Sequence, residues 1–258
     1  MRHSKKLATA VLGAAATLPF IGVGTAAAAD GSTMANLRPV ALNGVDASGT
    51  AMVEVKGTRI DVTVAASGLL KDNPHAAHIH FGADARHECP VASDDAKGDG
   101  HLNTTDGAPA YGPVVVALTE SGDTSPKSTL AIDRFSTAPG GKINYSRGSI
   151  HVSSAVAKAI ADGKSVVVIH GVDHNADGTY SGDTVSDLDP SLPTEATDPA
   201  LCGVLAAAPA GSVAAGAGGT AGAAGTNDTG GMMLLGGGLL AAGLGAGAFA
   251  ARRVRVPA

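Results

Sequence analysis

Two stretches near the start of the chain, TAMVEVK at 50–56 and RIDVTVAAS at 59–67, switch between apolar and polar side chains with period two. That period sends alternate side chains to opposite faces of an extended chain, so each stretch predicts a β-strand with one buried face. Shorter runs rich in β-branched residues, VVVAL at 114–118, TLAID at 129–133 and KSVVVIHG at 164–171, predict further strands. Turn formers punctuate them: GTR, DNP, APGGK and NADG. Only SSAVAKAIADG at 153–163, with Ser at its start and Gly at its end, predicts a helix. Many short strands and one minor helix predict an all-β domain, an antiparallel Greek-key sandwich or barrel. The chain has no Trp and few aromatics, so its core must be built from Val, Ala, Ile and Leu.

The two ends follow other patterns. Residues 1–29 begin with Arg2, Lys5 and Lys6, continue in an apolar run and finish in Ala27-Ala28-Ala29. This is the layout of a secretory signal peptide. Residues 232–251, MMLLGGGLLAAGLGAGAFAA, carry no charge. Such a run is long enough to cross a hydrocarbon core of ~30 Å as a transmembrane helix. Arg252, Arg253 and Arg255 follow it, which places a tail at 252–258 in the cytoplasm. Residues 207–231 hold no large apolar side chain except Val213 and predict an Ala/Gly-rich spacer. One exported domain at about 35–206 remains, secreted and anchored to the cell membrane. Thr229-Gly230 stands where sortase substrates carry their Thr-Gly, without the Leu-Pro of that signal, so cell-wall attachment is the alternative fate.

Charge narrows the partners. With the signal and tail removed, twelve Lys/Arg face twenty-three Asp/Glu, a net of about −11. That balance excludes nucleic acid and anionic lipid as partners of the domain and suits cations. The two cysteines, Cys89 and Cys202, predict a disulfide in an exported chain. No nucleophile elbow and no phosphate-binding glycine loop is present.

The histidines carry the chemistry. In NPHAAHIHFG at 73–82, His78 and His80 fall on one face of a strand while Ile79 points into the core. Two imidazoles so placed form a metal pair suited to copper, zinc, iron or nickel. His101 lies in GDGHLNT, and His170 ends the apolar run VVVIH. His78, His80, His101 and His170 are therefore the candidate metal ligands. His75, His87, His151 and His174 are expected outside that shell, with His75 at the surface after the DNP turn.

HAAHIHFG, GDGHLN, VVVIHGVD and the terminal LCGVL resemble the copper/zinc superoxide dismutases. The resemblance implies an eight-stranded Greek-key barrel, copper held by His78, His80, His101 and His170, and a Cys89–Cys202 disulfide. It also implies superoxide as a small-molecule substrate. The family's zinc uses the bridging histidine, two more histidines and an aspartate of one long loop. After His101 the next histidine is His151, so no zinc site of that kind is expected. Where the family has an anion-guiding arginine, this chain has Pro199. Arg86, Arg134 and Arg147 are the remaining candidates to guide an anion. HIHFG, GPVVVAL, AIADGKSVVVIHG and a hairpin ending in Gly178-Thr179-Tyr180-Ser181-Gly182 equally resemble the CHRD (chordin-type) domains, which are mostly binding modules.

Asp173, Asn175 and Asp177, followed by Gly178, match the first half of a calcium loop, with Asp183 one position short of the closing acid. An Asp/Asn/Gly turn between strands is the simpler reading. Three readings stay open from the sequence: a zinc-less copper dismutase, a non-catalytic copper-binding or surface module, and a calcium-stabilised adhesion domain.

Overall fold

The computed structural model of the protein describes residues 30–208. The stretches expected to form a signal peptide (1–29), an anchor and a tail (232–258), and all but the first two residues of the expected spacer (207–231), lie outside the described residues. Among the described residues no helix is long and apolar enough to cross a membrane.

The described chain is mostly β. Strands β1 (Asp30–Pro39), β2 (Ser48–Lys56), β3 (Arg59–Ser67), β4 (Ala77–His80), β5 (Val114–Ala117), β6 (Lys142–His151), β7 (Val166–His170) and β8 (Pro199–Val204) pair antiparallel. Their order is β5-β4-β7-β8-β1-β2-β3-β6, and a short β9 (Ala206–Ala207) joins β1. Backbone pairing begins at Asp30 and reaches Ala207. The sheet is curled. Buried side chains of β2, β3 and β6 share one apolar core with those of β4, β5, β7 and β8, which a flat sheet of this order would hold apart. Among the described residues no backbone ladder joins β5 to β6. Side chains close that seam. Tyr145 Oη on β6 donates to the Thr119 carbonyl just after β5 at 3.3 Å. Arg147 donates to the same carbonyl at 2.6 Å and to the Gly122 carbonyl.

The alternating stretches behave as their period predicts. β3 buries Ile60, Val62, Val64 and Ala66 and turns the residues between them outward. Helix α2 (Ser154–Ala161) is capped by Ser153, whose side chain accepts from the Val156 amide. Several elements differ from expectation. TLAID at 129–133 is no strand: its residues fall in and between short 3-10 turns at 126–128 and 132–134, started by Ser125 and Pro126. A second helix, α1 (Thr104–Tyr111), forms despite Gly107 and Pro109. Asn103 and Asp106 cap its first turn reciprocally. A third, one-turn helix, α3 (Thr194–Thr197), precedes β8.

β4 and β7 are buried on both faces. Ala77, Ile79, Val167 and Ile169 enter the main core. The opposite parity, Val166 and Val168, enters a second cluster with Val40, Leu102, Tyr111 and Cys202. This outer layer is fastened by the Cys89–Cys202 disulfide, which links the loop after β4 to β8. The histidines project from that outer parity.

Candidate metal centre

The pairing of β4 with β7 sets His78 opposite Val168 and His80 opposite Val166. The His170 amide donates to the Ala76 carbonyl at 2.8 Å, so His170 continues the same face one step further. Register shifts follow Ile79 in the β4–β5 ladder and Ile169 in the β7–β8 ladder. Irregularities of this kind re-aim side chains, and here each falls beside a site histidine. The three rings cluster, with centroids 5.7 Å apart for His78 and His80, 5.1 Å for His78 and His170, and 6.1 Å for His80 and His170. All three are buried.

Hydrogen bonding fixes which nitrogen of each ring is free. His78 Nε2 meets the Thr129 carbonyl at 3.1 Å, His80 Nδ1 the Gly112 carbonyl at 2.8 Å, and His170 Nδ1 the Thr197 carbonyl at 2.6 Å. A carbonyl only accepts, so each of these nitrogens carries the ring proton. The other nitrogens, His78 Nδ1, His80 Nε2 and His170 Nε2, are buried with no hydrogen-bond partner. One donor atom from each of the three residues lies within 4.8 Å of the others. Three neutral imidazoles, each with one nitrogen free and the other held by a backbone oxygen, form a group that could hold a metal ion, with its outer shell in place. Burial keeps the rings unprotonated: it pushes His80 down to about 3, His170 down to about 4 and His78 well below its usual value. The neighbouring rings add to the shift at His78 and His80.

A pocket of about 350 Å³ lies in front of the rings. Its walls include Ala108, Tyr111, Val114, Leu130, Ile132 and Leu188, and no Asp, Glu, Lys or Arg lines it. The Tyr111 ring sits 4.5 Å from that of His80, and Phe135 meets His78 edge-on at 5.3 Å. The candidate guiding arginines are engaged elsewhere. Arg86 pairs with Glu88 and Asp94, Arg134 binds the Ser121 and Asp123 carbonyls, and Arg147 closes the seam.

His101 does not join the three. Asn43 clamps Leu102 through both its amide and its carbonyl, and Leu102 turns into the outer apolar cluster. The adjoining His101 is left toward solvent, its ring 4.9 Å from that of His174. His101, His174 and Asp198 form a second group whose donor atoms also lie within 4.8 Å of one another. His174 Nε2 is 3.0 Å from Asp198 Oδ2, and this hydrogen bond raises the histidine. Burial raises the carboxyl.

His75 is buried, contrary to its expected place at the surface. Its ring nitrogens meet the His170 and Leu70 carbonyls at 2.8 and 3.0 Å, and Tyr180 Oη lies 3.2 Å from Nδ1. The Gly178–Gly182 stretch lies in a loop without paired strands. In the calcium-like segment, Asp173 accepts from the Asp177 and Gly178 amides, and Asn175 bonds Asp177 and Ser181. Asp183 is exposed on the same loop. Among the described residues, no group of three His, Cys, Asp or Glu donors includes Asp173, Asp177 or Asp183. Neither known family models nor curated protein sequences match the chain.

Proposed function

We propose that His78, His80 and His170 hold one copper ion, and that the protein is an extracytoplasmic copper-binding domain of the dismutase-like or CHRD type. The observation that carries this reading is the set of three buried imidazole nitrogens left without partners. A buried polar atom without a partner is costly, and a metal ion satisfies three at once. Imidazole nitrogen suits copper, and copper supplies one-electron chemistry. The chain's own part is to fix the tautomers through the Thr129, Gly112 and Thr197 carbonyls and to keep the rings neutral by burial. The strand order supports a Greek-key reading, because the β3–β4 and β6–β7 connections pass between strands that are not neighbours. The disulfide is compatible with export.

One observation favours binding over turnover of superoxide. The pocket that leads to the rings is apolar and uncharged, so nothing there attracts an anion. Copper loading of the purified protein, read by elemental analysis and electron paramagnetic resonance, tests the site. The expected result is one tightly held ion with nitrogen couplings, lost in His78→Ala/His170→Ala. Copper held equally well by that variant overturns the proposal. A superoxide assay with and without copper then separates the dismutase from the binding module.

A further inference from the structure

The fold builds a second cluster of metal-type donors that the triad does not use. Its members come from three separate segments: His101 from the loop after β4, His174 from the loop after β7, and Asp198 from the step into β8. The Asp198 side chain is fully buried, and its only ion-pair partner among the described residues is His174. Buried carboxylates are ordinarily paired with a cation or bound to a metal.

We propose that His101, His174 and Asp198 hold a second divalent metal ion of the zinc type. Two imidazoles and one carboxylate are a donor set of three protein ligands that leaves a fourth position open. The 3.0 Å between His174 Nε2 and Asp198 Oδ2 is close to the separation of roughly 3.3 Å between two donors ~2.0–2.1 Å from one tetrahedral ion. The outer shell is present as well. Asp198 Oδ1 accepts from Thr194 Oγ1 at 2.8 Å, the His174 amide donates to Glu195 at 2.8 Å, and an Asp99 oxygen lies 3.4 Å from His101 Nδ1. These contacts hold the three ligands from behind. A separate pocket of about 310 Å³ opens beside His101 and His174 and gives an ion a way in. This is not the zinc arrangement that the dismutase resemblance implies. No ring is shared with the triad, and two of the three donors come from outside the loop that would carry the family's zinc ligands.

The placement gives this ion a task. Thr197, whose carbonyl fixes the His170 tautomer, is the residue before Asp198. The Asp198 carbonyl accepts from the amide of Gly171, the residue after His170. An ion that clamps Asp198 to His101 and His174 therefore fixes the backbone on which His170 is aligned.

Zinc titration of the metal-free purified protein tests this without reference to activity, with stoichiometry read by elemental analysis after gel filtration. His101 and His174 are partly exposed, so His101→Ala/His174→Ala is expected to fold, and its far-ultraviolet circular dichroism checks that. The expected result is two zinc ions in the native protein, one in that variant, and one in His80→Ala/His170→Ala. Cobalt in the latter variant should give the visible absorption of a tetrahedral ion. If the triad binds nothing but this proposal holds, the native protein takes up one zinc, lost in His101→Ala/His174→Ala and kept in His80→Ala/His170→Ala. A zinc stoichiometry unchanged by His101→Ala/His174→Ala overturns the proposal.

Discussion

His170 Nδ1 donates to the Thr197 carbonyl across 2.6 Å, and that bond decides which nitrogen of the ring faces the pocket. The bond joins the end of β7 to α3, the turn of helix that leads into β8. A ligand of the triad is thus oriented by a segment distant in sequence. His170→Ala removes one of three donors and leaves that carbonyl without its partner. Copper affinity should fall by more than the ~10- to 100-fold that loss of an outer-shell contact costs. Competition against a chelator of known affinity measures it. An affinity unchanged within a few-fold would remove His170 from the site.

What the sequence could disclose of this arrangement followed strand parity. His78 and His80 share a face because they are two apart, and His170 ends an apolar strand run in which alternate residues share a face. Nothing comparable linked His101 to His174 and Asp198. Those residues meet through loops, where no period relates position to direction, and Asp198 was one acid among twenty-three. α1 was hidden by Gly107 and Pro109, although Asn103 and Asp106 stood at capping-box spacing. TLAID had strand-like composition, but Ser125 and Pro126 start a 3-10 turn, and Leu130 and Ile132 serve as pocket wall. His75 was misplaced because a turn before a strand suggests solvent, while the Leu70 and His170 carbonyls receive its ring inside.

The metal-free protein should lose stability as pH falls from 7 toward 4. In the unfolded chain a histidine titrates near 6.5. In the folded protein burial holds His80 at about 3, His170 at about 4, and His78 well below the ordinary value. Below 6.5 the unfolded chain therefore binds protons that the native state does not, and the equilibrium moves toward unfolding. His174 is raised and acts in the opposite sense, but it is one ring against three. Melting temperatures at pH 7.5 and pH 5 give the sign. A higher value at pH 5 would contradict buried neutral rings.

Gly171 has no tolerated replacement. Its φ is +108°, and an added Cβ would lie 2.1 Å from Tyr180 Oη and 2.7 Å from His75 Nδ1. Gly171→Ala should cost at least the ~1–3 kcal/mol of a strained backbone and should also weaken copper binding, because the residue adjoins His170. Thermal unfolding and a copper titration on the same sample check both effects.

The disulfide spans 113 residues. Closing a loop of that length stabilises by about 4–5 kcal/mol in the chain-entropy model. Cys89→Ala/Cys202→Ala should lose stability on that order in denaturant unfolding, with the same sheet by circular dichroism.

Any dismutation by the copper-loaded protein should be slow and should hold level or rise with salt. Residues 30–251 carry about −11, and Arg86, Arg134 and Arg147 are committed away from the pocket. The long-range field therefore repels an anion, and added salt screens that repulsion. A rate near the diffusion limit that falls steeply with ionic strength would show a positive funnel instead.

The seam between β5 and β6 gives the domain a different kind of vulnerability. Two strand borders face each other there without a ladder, and the join rests on a phenol and a guanidinium from β6 that reach the Thr119 carbonyl. Strand borders with free amides and carbonyls are templates for another chain. Arg147 and Tyr145 are thus the side chains that tie the sheet's two end strands together on one molecule, so a join that no ladder makes depends on two residues remote from any ligand.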